Sequence, residues 1–325
     1  MKQFQYMRPS AQQAAIAAIA KDTTAKFIAG GSNLLDLMKR NVMQPERLID
    51  ITRLPLKDIT ENNNILKIGA LALNSSVADN PMVVEKYPLL SQALNAGASA
   101  QLRNMATVGG NLMQRTRCPY FYDTAMPCNK RNPGSGCGAL KGYNRMHAIF
   151  GASQHCIAVN PSDMNVALVA LDAVVHVAGP KGLRMVPIQD FHRLPGDQPE
   201  NDTTLHKNEL ITEVTIPYHP FSHVHYLKIR DRASYAFALV SVAVALQLDG
   251  KKIIQARLAM GGVAHKPWRL SAAEQALIGN PVALETFERV AAIAMQGAKG
   301  YGDNDFKLEL GPKSIVEALR MASGI

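Results

Sequence analysis

All four cysteines of this 325-residue chain, Cys118, Cys128, Cys137 and Cys156, fall in one short stretch, and the rest of the chain has none. Whatever chemistry joins the four thiols therefore ties that stretch to itself and sets it apart from the remaining fold. The spacers between them are nine, eight and eighteen residues, so there is no CxxC pair and no zinc-ribbon pattern. Three chemistries stay open on spacing alone. Two disulfides would need an oxidising compartment, and they usually staple a domain too small to bury a core, which this one is not. A zinc ion could take four thiolates. Four thiolates can also complete the coordination of a [4Fe–4S] cube. Turn residues flank several of the cysteines: Pro119, Pro127, Pro133-Gly134-Ser135-Gly136 and Gly138. Glycine there lets backbone amides turn inward toward a bound group.

At roughly 150 residues per domain the length suggests two domains. Hydrophobic residues make up 47% and charged residues 19%, the balance of a globular protein rather than a disordered or fibrous one. No apolar run reaches the ~18 residues of a membrane span. Thirty-five Lys and Arg against 26 Asp and Glu give a net charge of +9. Those charges are scattered, which disfavours a nucleic-acid footprint and suits a basic face that docks an acidic partner or anionic ligand. The Ala14–Ala20 stretch after Lys2 and Arg8 reads as a helix behind Ser10 rather than as an export signal.

Strand and helix signals alternate through the first part: strands at 3–6, 26–29, 48–51 and 65–70, with helices at 11–19, 33–40, 76–79 and 89–98. A buried strand is expected at 157–159, a helix at 163–171, and strands at 173–177 and 210–216. The stretch from Pro217 to His223 reads as a linker. Strands at 224–230, 236–248 and 252–260 then precede helices at 271–277, 284–295 and 314–321. Strands first and helices after suggest a separate α+β domain. Two Gly-Gly turns stand out. Phe27-Ile28-Ala29-Gly30-Gly31-Ser32-Asn33-Leu34 is an apolar strand, a turn and a helix start; Thr107-Val108-Gly109-Gly110-Asn111 repeats the theme. Such turns offer backbone amides to a phosphate, and two of them could grip one diphosphate from two sides. Neither is a GxGxxG or a GxxxxGK[ST] fingerprint. No Ser–His–Asp set or carboxylate pair has a convincing spacing, and His147, His155 and His265 read as structural or surface residues.

Taken in order, these segments resemble the FAD-binding (medium) subunit of the molybdenum hydroxylases, the xanthine dehydrogenase and carbon monoxide dehydrogenase family. The likeness covers nearly the whole chain. It is carried by Ala29–Leu34, Leu102–Leu112, Pro161-Ser162-Asp163 and Tyr226-Leu227-Lys228-Ile229-Arg230. Most members pass from the second Gly-Gly turn to Pro-Ser-Asp within a few residues; here all four cysteines lie between. Arg115–Asp123 and Arg230–Ser241 are similar to the flavin subunit of bacterial periplasmic aldehyde oxidoreductases, and 4-hydroxybenzoyl-CoA reductase has an analogous insertion. In both, the insertion carries an extra [4Fe–4S] cluster.

The resemblance implies an α+β fold. Residues 1–218 would form a two-subdomain FAD-binding unit of the vanillyl-alcohol oxidase/PCMH type, with the cysteine-bearing insertion at about 113–157. Residues 222–325 would form a smaller α+β domain of the CO dehydrogenase flavoprotein type. It implies FAD contacts from Lys26, Phe27, Ile28, Ala29, Gly30, Gly31, Ser32, Asn33 and Leu34. A second loop would come from Ala106, Thr107, Gly109, Gly110 and Asn111, followed by Ser162, Asp163 and Ile211, with Lys228 beside the flavin ring. Cys118, Cys128, Cys137 and Cys156 would ligate the cluster. The family's Asp or Glu near Ser234–Tyr235 is missing here. The implied role is an electron-transfer subunit of a molybdenum-dependent hydroxylase, most simply an aldehyde oxidoreductase, which does not turn over substrate alone. Its partners would be a large molybdenum-cofactor subunit and a small [2Fe–2S] subunit. It would lie in the cytoplasm, or in the periplasm if exported with a signal-bearing partner. A xanthine-dehydrogenase-like or hydroxybenzoyl-CoA-reductase-like complex, a self-contained flavin oxidoreductase and a zinc-stabilised binding module are the rival readings.

Overall fold

The computed structural model describes all residues, Met1–Ile325. Three sheets organise it. β1 (Gln5–Met7), β2 (Ala25–Ile28) and β3 (Arg47–Asp50) form a small parallel sheet in the order β1-β3-β2. β4 (Ile59–Asn62), β5 (Ile65–Gly69), β6 (Val174–Gly179), β7 (Gly182–Pro187) and β8 (Leu210–Pro217) form an antiparallel sheet in the order β4-β5-β8-β6-β7. β9 (His223–Ile229), β10 (Val240–Asp249), β11 (Lys252–Gly261) and β12 (Trp268–Arg269) form the third, also antiparallel.

The helix Asp163–Ala170 is buried at every position, because it lies between the second and third sheets. β10 makes this possible by alternation. Val240, Val242, Val244 and Leu246 face the C-terminal helices, whereas Ala243 and Ala245 face the central helix. Small residues there admit close approach. A Cβ on Gly261 would come within 2.6 Å of a Val166 methyl. The largest core cluster, of 34 residues, joins the five-stranded sheet to this helix and to Pro88–Ala96. A second, of 23, packs β10 and β11 on the helices Ser271–Leu277, Leu284–Ala294 and Phe306–Ser323.

Several local expectations need correcting. Ile157 and Ala158 are buried, but 157–159 forms no strand, since the backbone N–H of Ala158 turns to the Cys156 sulfur. Ala11, not Ser10, caps the first helix, without a side-chain bond. The last helix begins at Phe306, eight residues earlier than its pattern suggested, and runs through Pro312. Burial of Lys307, Gly311 and Ile315 offsets the backbone bond that proline cannot make. β4 and β7 are edge strands exposed on alternate or most positions; β4 is polar and β7 leaves its apolar Leu183 and Met185 in solvent, so neither shows a strand's usual buried face. No helix is long and apolar enough to cross a membrane.

Candidate functional site

The two Gly-Gly turns meet. A Cβ on Gly30 would stand 1.7 Å from the Met105 carbonyl oxygen, so this glycine exists to let the second loop pack on the first. That role differs from leaving room for a phosphate. Gly31 has φ +70°, which glycine adopts freely. The second loop is docked on the five-stranded sheet's end: the Gly109 N–H donates to the Ala70 carbonyl at 2.8 Å and the Val108 N–H to that of Ala72 at 3.0 Å. Thr107 is the N-cap of Val108–Leu112, its hydroxyl accepting the Gly110 N–H at 3.2 Å.

Asn33 and Asn111 are the polar ends of the two loops. Asn33 Oδ1 accepts the Arg115 N–H at 2.9 Å, while its Nδ2 is buried with no partner. An unpaired donor at this place fits an acceptor-rich ligand such as a dinucleotide. Asn111 Oδ1 accepts from Ser162 Oγ at 2.6 Å, which brings the second loop to the start of the central helix. Ser162 in turn caps that helix through the Asn165 N–H. Ala106 lies beside Gly30, and its carbonyl accepts the Asn74 N–H at 2.9 Å. Lys26, Phe27, Ile28 and Ala29 are half-buried along and just after β2, Leu34 opens the helix Leu34–Lys39, and Ser32 is exposed. Burial holds the Lys26 amine below its ordinary pKa, and the nearby cations Arg115 and Lys207 push it the same way. Arg115 is itself paired with Asp202, which leaves Lys26 and Lys207 as the cations here that suit an anionic ligand. Ile211 is buried in β8 within the main core, and the carbonyl of its neighbour Thr212 accepts the Ala70 N–H.

Asp163 heads a buried polar group. Lys228 Nζ lies 2.8 Å from Asp163 Oδ2 and donates also to the Ala96 carbonyl at 3.0 Å. The Tyr226 hydroxyl donates to Asp163 Oδ1 at 2.9 Å. Lys228 is thus paired, with 4% of its side chain exposed. Ser162 and Asp163 line a cavity of about 140 Å³ together with Arg117, Cys118, His147 and Phe237. The Arg117 guanidinium lies 5.0 Å from the Phe237 ring centre and donates to the Arg115 carbonyl. Arg117 lines this cavity and Lys228 does not, so the sequence reading missed a cation of the site. No motif marks Arg117; only the fold brings it here.

The four cysteines converge. All line a second, smaller cavity, and all are free thiols. Cys128 and Cys137 pair as an isolated antiparallel bridge, closing the Pro133–Gly136 turn. Burial pushes the Cys118 thiol up to about 12 and that of Cys156 up to about 11. Thiols so reluctant to ionise are poor nucleophiles; a metal would have to take their protons. No three His, Cys, Asp or Glu side chains stand close enough to hold a single metal ion. Lys130, buried beside this cavity, bonds the Pro199 carbonyl at 2.7 Å and pairs with Asp202.

Two of the histidines expected to be structural or surface residues are buried and bonded. His147 Nε2 is 3.1 Å from Cys118 Sγ, and His265 Nε2 is 2.6 Å from Lys130 Nζ. His155 is half-exposed, 3.5 Å from Asp197. The two cavities share a wall made of Thr116, Cys118 and His147.

Residues 2–219 match the family described as FAD binding domain in molybdopterin dehydrogenase, and residues 225–320 match the CO dehydrogenase flavoprotein C-terminal domain. The chain is 48% identical, over 99% of both chains, to the aldehyde oxidoreductase FAD-binding subunit PaoB of Escherichia coli strain K12. In structure it resembles the carbon monoxide dehydrogenase of Hydrogenophaga pseudoflava, with TM-score 0.78 and 27% identity over 99% of this chain and 98% of that one. Quinoline 2-oxidoreductase of Pseudomonas putida 86 gives 0.77 and 25% over 100% and 99%. This chain belongs to the FAD-binding subunits of the molybdopterin dehydrogenases, oxidoreductase subunits of the aldehyde, xanthine and carbon monoxide dehydrogenase type.

Proposed function

We propose that this chain is the electron-transfer subunit of a molybdenum-dependent hydroxylase acting on aldehydes, with FAD and a [4Fe–4S] cluster as its own redox groups. The observation that carries the reading is the shared wall: the cavity headed by Ser162 and Asp163 and the cavity of the four cysteines meet at Thr116, Cys118 and His147. Two redox groups so placed would be neighbours. Aldehyde as the substrate class follows from the 48% identical relative, an aldehyde oxidoreductase subunit. Substrate oxidation itself would occur on a large molybdenum-cofactor subunit, with a small [2Fe–2S] subunit passing electrons to this chain.

FAD, when bound, accepts electrons one or two at a time and releases them to a terminal acceptor. The protein's part is placement. The loops at Lys26–Leu34 and Ala106–Asn111, with Ser162 and Asp163, would hold the dinucleotide. Lys228 would fix Asp163, while Arg117 would offer a positive charge to a reduced ring. Four thiols line the second cavity, the number that would complete the coordination of a cluster. A cube of four irons takes its thiolates at separate corners. The three-stranded and five-stranded sheets, both complete by Pro217, support a two-subdomain flavin fold of the vanillyl-alcohol oxidase/PCMH type for residues 1–218, with 222–325 a second domain.

The test is anaerobic purification with FAD, iron, acid-labile sulfide and zinc assayed on one sample. FAD with iron and sulfide in equal amounts, and aldehyde turnover only with the partner subunits present, is the expected result. Stoichiometric zinc would overturn the cluster, and aldehyde turnover by this chain alone would overturn the subunit role.

A further inference from the structure

His147 is 2% exposed and sits in the shared wall, with Nε2 3.1 Å from Cys118 Sγ. Its backbone is held from the far end of the chain. Lys307 Nζ donates to its carbonyl at 2.9 Å and Asn304 Nδ2 at 3.3 Å, while its N–H donates to the Asn144 carbonyl at 2.9 Å. Such anchoring fixes the backbone, and burial leaves the ring little freedom. Its Nδ1 is buried without a partner.

The proton's place follows from what the partner can do. A metal-bound thiolate has only lone pairs to offer, so a bond to it requires the hydrogen on Nε2. Nδ1 is then a bare acceptor. Buried orphan acceptors are tolerated better than orphan donors, so this tautomer also suits the empty surroundings of Nδ1. A hydrogen bond to sulfur draws off negative charge. Reducing a cluster adds such charge, so the bond favours the reduced form and raises the potential.

Resting on the reading of the four cysteines as cluster ligands, we propose that His147 is a positioning residue that donates Nε2–H to the Cys118 sulfur and sets the cluster's reduction potential upward. Nothing in the sequence marks it as such, because it stands outside every motif.

An EPR-monitored redox titration of the anaerobically purified complex tests this, on the wild type, His147→Phe and His147→Gln. Iron, sulfide and FAD are assayed on the same samples. Phe cannot donate, whereas the Gln amide can reach toward the same sulfur. At a fixed potential the Phe variant is expected to hold about tenfold less reduced relative to oxidised cluster, a midpoint ~59 mV lower for one electron. The Gln variant should stay near the wild type. In protein carrying ¹⁵N in its histidines only, ENDOR should show a cluster-coupled nitrogen in the wild type that is absent in Phe and Gln, a signal to which the Ala158 N–H on the Cys156 sulfur does not contribute. A Phe variant with its cluster intact and its midpoint unmoved would overturn the role. If Phe loses its cluster, the wild-type histidine-nitrogen coupling decides, and its absence overturns the role equally. Wild-type protein without iron would instead strike down the cluster reading beneath it.

Discussion

Asp202 gathers more charge than any motif could have announced. Its carboxylate takes the Arg115 guanidinium at 2.7 Å, pairs with Lys130, and has His265 at 3.7 Å. Burial alone would raise its pKa, but Lys130, Arg115 and His265 together outweigh that and hold it well below the usual carboxylate range. A carboxyl depressed in the folded state contributes stability above its unfolded pKa, near 4, and loses it as the pH falls further. Lys130 has 1% of its side chain exposed, so Asp202→Asn would leave a buried cation unpaired. The expected loss at pH 7 is about 3 kcal/mol in urea unfolding. The gap between variant and wild type should narrow as the pH drops below about 4. What was legible at this scale were residues whose chemistry is local: cysteines bunched in one stretch, glycines in turns. Arg117, Lys130, His147 and Asp202 were not, because each acts through partners far off in the chain.

The elements show how a short motif can be right in place and different in purpose. Gly30 and Gly31 do form a turn between β2 and a helix, as the apolar strand before them suggested. Yet the space beside Gly30 is filled by the Met105 backbone. Gly30→Ala is therefore expected to pry the two loops apart. Purified protein should lose most of its FAD, and stability should fall by ~1–3 kcal/mol, the range for overpacking a tight site. Full FAD content and an unchanged unfolding midpoint would contradict the close approach. The same scale explains the missed strands. β4 and β7 carry no clean apolar alternation, and they exist because β5 and β6 offer open edges to pair with. Helix Asp163–Ala170 was legible through its Pro-Ser-Asp opening, but not its burial on all sides, which depends on the small residues of β10 and β11.

Across the whole molecule, the cysteine segment is stitched to the last part of the chain. Asn144 Nδ2 donates to the Tyr301 carbonyl at 2.7 Å and the Lys299 N–H to that of Ile149 at 2.8 Å. Lys307, fully buried, donates to the carbonyls of His147 and Gly262 and has no carboxylate among its bonds. Burial, with Arg145 adding to it, pushes its amine down to about 7. Between about pH 7 and the ordinary lysine value near 10.4 the unfolded chain holds a proton that the folded one has released. Stability should therefore rise with pH across that window, by at most ~1.4 kcal/mol per pH unit. Lys307→Met should remove that slope, and a slope unchanged in the variant would show that another group sets it. These long-range stitches also put the order of events under the control of synthesis. The bond from Lys307 to His147 spans 160 positions. At ~5–20 residues per second the ribosome needs on the order of 10–30 s to make that interval. For that time the cysteine segment has been made while the helix that anchors the His147 backbone does not yet exist, so the nascent segment must wait for its last tether.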